Sequence, residues 1–224
     1  MNKYIIFYFF LFQFYVCAFA IDNQPLYKRA LNGDIEAMHT LGYDYKEKNM
    51  MDSATFWLTK AAKSGYVLSQ SLLGEILEEQ DPPNYCEALF WYEKAAKKGY
   101  NWAQYRVGHY YLHGLGTEAN DKKAEKWLEK AAKAGACYGL PQYEYGKYYA
   151  KGIKAKEWLL KSNEEGFSEA LTEIGRKYFS GFFEQNPDSA YYYYSSAAKA
   201  NNANGMFHLS GYYSSGFYCK QSYK

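Results

Sequence analysis

Trp91-Tyr-Glu-Lys-Ala-Ala-Lys-Lys-Gly99 decides the fold, because the chain repeats this phrase five times: Trp57 to Gly65, Trp91 to Gly99, Trp127 to Gly135, Trp158 to Gly166 and Tyr193 to Asn201. The closing residues 65, 99, 135, 166 and 201 stand 34, 36, 31 and 35 positions apart. A unit this short has too little apolar surface to enclose a core of its own. It must bury its face on the next copy, which makes the chain a solenoid.

A second phrase alternates with the first and ends in Leu41-Gly42, Leu73-Gly74, Val107-Gly108, Tyr145-Gly146, Ile174-Gly175 and Leu209-Ser210. Three residues further on stand Tyr45, Leu77, Tyr111, Tyr149, Tyr178 and Tyr213. Six beyond come Gly114, Gly152, Gly181 and Gly216, with Lys48 and Gln80 as exceptions. Each unit therefore reads helix A, loop, helix B. In Ala124 to Gly135 the apolar and small residues Ala124, Trp127, Leu128, Ala131 and Ala132 keep the three-and-four spacing of one helical face, while Glu125, Lys126, Glu129, Lys130 and Lys133 take the other. Gly65, Gly99, Gly135, Gly166 and Asn201 are expected as left-handed C-terminal caps, a conformation that Gly and Asn adopt at little cost. Asp52, Asp121 and Asp188 are the expected N-caps of helices B.

These spaced positions resemble the Sel-1-like repeats, a branch of the tetratricopeptide superfamily, whose unit reads approximately A-x-x-x-L-G-x-x-Y-x-x-G, loop, K-A-x-x-W-Y-x-K-A-A-x-x-G. The resemblance covers about residues 26 to 217 and is clearest in Ala103 to Gly116 with Lys123 to Gly135. It implies an all-α fold: a right-handed α-α superhelical solenoid of about five helix-turn-helix repeats with half-repeats at both ends. The expected boundaries are a half-repeat 24–33, repeats 34–65, 66–99, 100–135, 136–166 and 167–201, and a final half-repeat 202–217. Leu77 and Gln80 depart from the pattern, the loop Gly152-Ile153-Lys154 is short, and extra residues near Cys137 to Leu140 disturb the third-to-fourth junction. The tail Phe217 to Lys224 reads as a cap or as a truncated frame.

Residues 1–20 stand apart. Lys3 is the single charge, Tyr4 to Val16 is apolar and aromatic, and Ala18-Phe19-Ala20 supplies small residues where a signal peptidase requires them. A cleaved secretory signal ending at Ala20 is expected, and with it an exported protein, periplasmic or secreted if bacterial. The alternative is a retained anchor, for which the run falls short of the roughly 20 apolar residues that span a bilayer. Lipidation at Cys17 is disfavoured by Val16.

Removal of Lys3 leaves 25 basic against 24 acidic side chains, 26 minus one and 24. With both signs interleaved on every helix no basic stripe tracks phosphates, so no nucleic-acid partner is expected, and no membrane span after cleavage. Cys86, Cys137 and Cys219 would survive processing, an odd set lacking any Cys-x-x-Cys. A secreted branch of the resembled family carries a Cys pair in each unit. This chain does not, so packing rather than disulfides is expected to hold it, with Trp127 a principal contributor.

The 27 tyrosines exceed what the repeat core needs. On helix A the side opposite the core reads Tyr105, His109, His113, then Tyr143, Lys147, Lys151, then Thr172, Arg176, Ser180, with Arg106, Glu144, Glu173 and His208 at its edge. In tetratricopeptide-like stacks helix A lines the concave face, so the resemblance implies a protein-binding groove of Tyr105, Arg106, His109, His113, Tyr143, Glu144, Lys147 and Arg176, with a protein or peptide ligand. Tyr and Arg are frequent interface anchors. Because these residues point away from the packed side, their truncation is expected to leave the fold intact.

Enzymatic constellations are sparse. His109 and His113 have the i, i+4 spacing of two metal ligands, but Tyr110 stands where a zinc-protease helix has Glu, and the sequence specifies no third ligand; no metal and no cofactor are expected. Ser196-Ala-Ala-Lys199 matches Ser-x-x-Lys without an accompanying Ser-Asp-Asn or Lys-Thr-Gly. No catalytic residue is assigned. Two functions remain: an exported non-catalytic adaptor or scaffold, envelope-associated or host-interacting as the resemblance implies, or a β-lactam-binding or β-lactamase-type hydrolase, as suggested for some secreted relatives.

Overall fold

The computed structural model describes residues 25–135 and 137–214. The expected signal segment, Cys17, the tail Phe217 to Lys224 and Cys219 lie outside them. Among the described residues there are twelve α-helices and no strand. They fall into two compact units, divided after Lys98.

The first unit holds α1 (Pro25–Leu31), α2 (Ile35–Glu47), α3 (Met51–Lys63), α4 (Val67–Glu79) and α5 (Tyr85–Lys97), each packed on the next. Its core gathers Leu41, Tyr45, Trp57, Leu58 and Ile76. The second holds α6 (Asn101–His113), α7 (Asp121–Ala134), α8 (Leu140–Tyr148), α9 (Gly152–Glu164), α10 (Glu169–Phe179), α11 (Pro187–Lys199) and α12 (Ala203–Ser214), again packed consecutively, with α10 also reaching α12. Helices A are thus α2, α4, α6, α8, α10 and α12; helices B are α1, α3, α5, α7, α9 and α11.

One contact recurs and explains why both phrases repeat. The residue after the aromatic in each helix B, namely Leu58, Tyr92, Leu128, Leu159 or Tyr194, is almost wholly buried. Each seats over the glycine of the preceding helix A: a Cβ on Gly42, Gly74, Gly108, Gly146 or Gly175 would meet that side chain. On Gly108 it would lie 2.7 Å from Leu128 Cγ. The small residue is the hollow and the large one fills it, an A–B packing that other pairs of these sizes would fail to match. Trp57 and Trp91 are buried beside these knobs, whereas Trp127 is half-exposed. The expectation that Trp127 is a principal core residue is therefore corrected, and Leu128 takes that role. In α12 the core tyrosine is Tyr212, 5% exposed, rather than the expected Tyr213, 51% exposed.

Helix ends follow the sequence with a shift at the start. Gly65, Gly99, Gly135, Gly166 and Asn201 all take left-handed φ, from +58° to +101°, as expected of caps. The N-caps, in contrast, are Asn84, Asn120 and Asn186, whose side chains accept from the N–H groups of Glu87, Lys123 and Ser189. Asp52, Asp121 and Asp188 sit instead in the first turn, where a carboxylate still complements the helix dipole. Between α7 and α8, the irregular junction is a short turn, Cys137 to Gly139, with all three residues at left-handed φ. The Gly139 carbonyl accepts from the buried Ser162 hydroxyl at 2.7 Å, which ties this turn to α9.

Candidate functional site

The helix A stripe divides along its length. Its N-terminal positions are closed: Tyr105 is 4% exposed and Thr172 1%. Its positions His113, Arg176 and Ser180 are exposed and His109, Tyr143 and Lys147 half-buried, while Lys151, expected on helix A, lies beyond the end of α8 as the exposed N-cap of α9. Side chains at the closed positions face neighbouring residues rather than solvent: Tyr105 meets Glu144 of α8, and Thr172 donates to Asn202 just before α12. Tyr105 packs with Leu128 and Ala131, and Glu144 is also buried. The expectation that all eight residues can be truncated without harm to the fold fails for these two.

Four of the eight are brought together. The Tyr105 hydroxyl donates to Glu144 Oε1 at 3.2 Å, and His109 Nδ1 stands 2.7 Å from the same oxygen. The His113 ring lies against that of His109, centroids 4.4 Å apart, with Tyr148 edge-on beyond it. Burial, reinforced by the adjacent carboxylate of Glu144, raises the Tyr105 phenol so far that it stays protonated and remains a donor. Partial burial and the neighbouring His109 lower His113, which favours its neutral form. Glu144 Oε2 is buried and accepts no hydrogen bond.

The others stand in smaller groups. Lys147 Nζ donates to the Tyr143 hydroxyl at 3.1 Å, and Tyr143 packs on Phe167. Arg176 donates to the buried Glu173 at 2.7 Å while half of its own side chain stays in solvent. Arg106 lies over Trp102 and Tyr110 on its own helix. Sequence reading missed Lys177, a buried cation whose Nζ donates to the Lys147 carbonyl and so links α10 to α8. Burial lowers its pKa despite the nearby Glu173. Its place in the core offered no signal, since Lys at that helical position reads as a solvated face.

Tyr105→Phe tests the buried bond. Removing the hydroxyl leaves a buried carboxylate short of one donor, which is expected to cost about 1 to 3 kcal/mol. Urea denaturation checks this; a midpoint equal to the parent's would show that the bond contributes nothing.

The Ser196-x-x-Lys199 pattern has a structural explanation. Ser196 Oγ donates to the Tyr192 carbonyl four residues back on α11 at 2.9 Å, a common use of serine inside a helix. Cys137, half-buried, has its thiol pushed up by burial and by Glu165, the reverse of an activated nucleophile. Among the described residues no helix is long and apolar enough to cross a membrane.

The alternation of A and B helices is matched by relatives. The Sel1 repeat model aligns with residues 35–66, 67–100, 103–135, 136–167 and 168–202. The chain is similar to a protective antigen present in uropathogenic Escherichia coli strains displaying an SLR fold, with 29% identity, a TM-score of 0.74, and coverage of 85% of this chain and 44% of that one. It is also similar to a Sel1 repeat protein from Oxalobacter formigenes, with 26% identity, a TM-score of 0.70, and coverage of 86% and 80%. A putative Sel1-like repeat-containing protein of Acanthamoeba polyphaga mimivirus is 35% identical over 78 residues, which is 35% of this chain but 15% of that one. With five matched units, a glycine hollow in each helix A of those units and a buried knob in each helix B, the chain belongs to the Sel1 repeat family.

Proposed function

We propose that the protein is an exported, non-catalytic scaffold that binds an acidic protein or peptide segment along the C-terminal ends of helices A in its second unit. The observation that carries the reading is an asymmetry of charge: Arg176 on α10 and Lys151, which caps the start of α9 just beyond α8, are exposed and Lys147 on α8 is half-buried, while the carboxylates Glu144 on α8 and Glu173 on α10 are buried. A rigid row of cations above buried counter-charges attracts an anionic ligand and holds its own shape without it, which limits the entropy lost on binding. Tyr143 adds a half-buried aromatic ring beside Lys147. Export rests on the apolar run before Ala18-Phe19-Ala20.

A photo-crosslinking amino acid placed singly at 147, 151 or 176 tests the face, with position 133 on helix B as the comparison. Adducts to one acidic partner are expected from positions 147, 151 and 176 and not from 133. The same partner crosslinking at 133 alone would assign the ligand to the opposite face.

A further inference from the structure

We propose that His109, His113 and Glu144 form a binding site for one late first-row divalent transition ion, Zn2+ above all, clasping α6 to α8. The sequence provides two imidazoles one helical turn apart; the fold supplies the third donor from a residue 35 positions away. Each of the three offers a ligand atom, and these atoms all lie within 4.8 Å of one another. Donors bound at zinc distances of about 2.0 to 2.2 Å stand about 3.3 Å apart around the ion, so the cluster needs only small side-chain adjustments to close on a metal.

Two independent features favour a cation there. The Glu144 side chain is 9% exposed and its Oε2 accepts no hydrogen bond, a buried anionic oxygen for which a cation would be a partner. Tyr105 donates to the other oxygen and holds the carboxylate in place, the outer-shell support that metal-binding carboxylates generally have. Two nitrogens and one carboxylate suit zinc and its neighbours in the transition series; calcium and magnesium take oxygen shells instead. Lys147 opposes a dication electrostatically, but its ammonium is directed to the Tyr143 hydroxyl. His113 is on the exposed side, so the remaining coordination position faces water.

The test is titration of the purified, tag-free full chain with Zn2+ by calorimetry and with Co2+ by visible absorption. One ion per chain is expected, with Co2+ showing the absorption bands of a four- or five-coordinate nitrogen and oxygen site. His113→Ala removes an exposed side chain and should keep the parent's circular dichroism, yet weaken Zn2+ binding about 100-fold and abolish the Co2+ bands, a loss at least as large as outer-shell changes produce. Glu144→Gln, nearly isosteric, should weaken binding at least about tenfold. His39→Ala, in the first unit, should bind as the parent does. Absence of saturable Zn2+ binding, parent-like binding by His113→Ala, or loss of binding in His39→Ala would overturn the proposal. These outcomes are independent of the peptide-binding reading, which the crosslinks at 151 and 176 judge separately.

Discussion

Leu128→Ala is expected to destabilise the second unit by about 3 to 5 kcal/mol, the range for truncating a fully buried leucine whose surroundings cannot collapse. Leu128 has no exposed surface and rests in the hollow of Gly108, between Tyr105 and Ala131. The walls of that hollow are helix backbone, so little can move in to fill the space. Trp127→Ala, despite removing the larger side chain at the more conspicuous repeat position, should cost only about 1 to 2 kcal/mol, because the indole is half-exposed and already partly hydrated. Urea denaturation followed by far-ultraviolet circular dichroism orders the two. A lower midpoint for the tryptophan variant would show that the knob-and-hollow contact is not what secures the repeat.

Gly139→Ala should cost about 3 kcal/mol or more, from two sources that add. The residue has φ +77°, a conformation that disfavours any Cβ by about 1 to 2 kcal/mol. The new methyl would also overlap the Ser162 carbonyl oxygen and sit 3.0 Å from Ser162 C and Cα, so backbone must shift, and such overpacking costs about 1 to 3 kcal/mol. Moving α9 away would also stretch the bond from the Ser162 hydroxyl to the Gly139 carbonyl. Gly152→Ala isolates the first source, since Gly152 has φ +52° with nothing within 4 Å of the added carbon, and should cost about 1 to 2 kcal/mol. Equal melting temperatures for the two variants would mean that the turn yields freely and that the close approach to Ser162 is unimportant.

The helix ends show how local information survives or fails. Caps at Gly65 through Asn201 could be read from sequence because a left-handed φ is a single-residue requirement that names its own residue types. N-caps were displaced by one or two positions: Asn120 and Asn186 outcompete Asp121 and Asp188 because the latter are already inside the first turn, Pro187 having started α11. The stripe on helix A is not the open surface expected of it, since Tyr105, Glu144 and Thr172 are buried. Periodicity groups residues on one side of a helix, but does not say that neighbouring helices close over part of that side, as Leu128 and Ala131 of α7 and Glu144 of α8 do over Tyr105.

By itself the sequence determined the repeat, the A and B alternation, the paired glycine and large residue, and so the family, because in a one-dimensional stack each of these is a relation between residues in the same or adjacent units. Only the tertiary structure decided that Leu128 is buried and Trp127 is not, that Tyr105 and Glu144 are interior, and that Glu144 meets His109. Such contacts depend on how far one helix A slides and tilts against the next, a sum of many side-chain volumes that no motif spells out. The third ligand of the His109 and His113 pair was in the sequence all along, at 144, without a spacing to announce it.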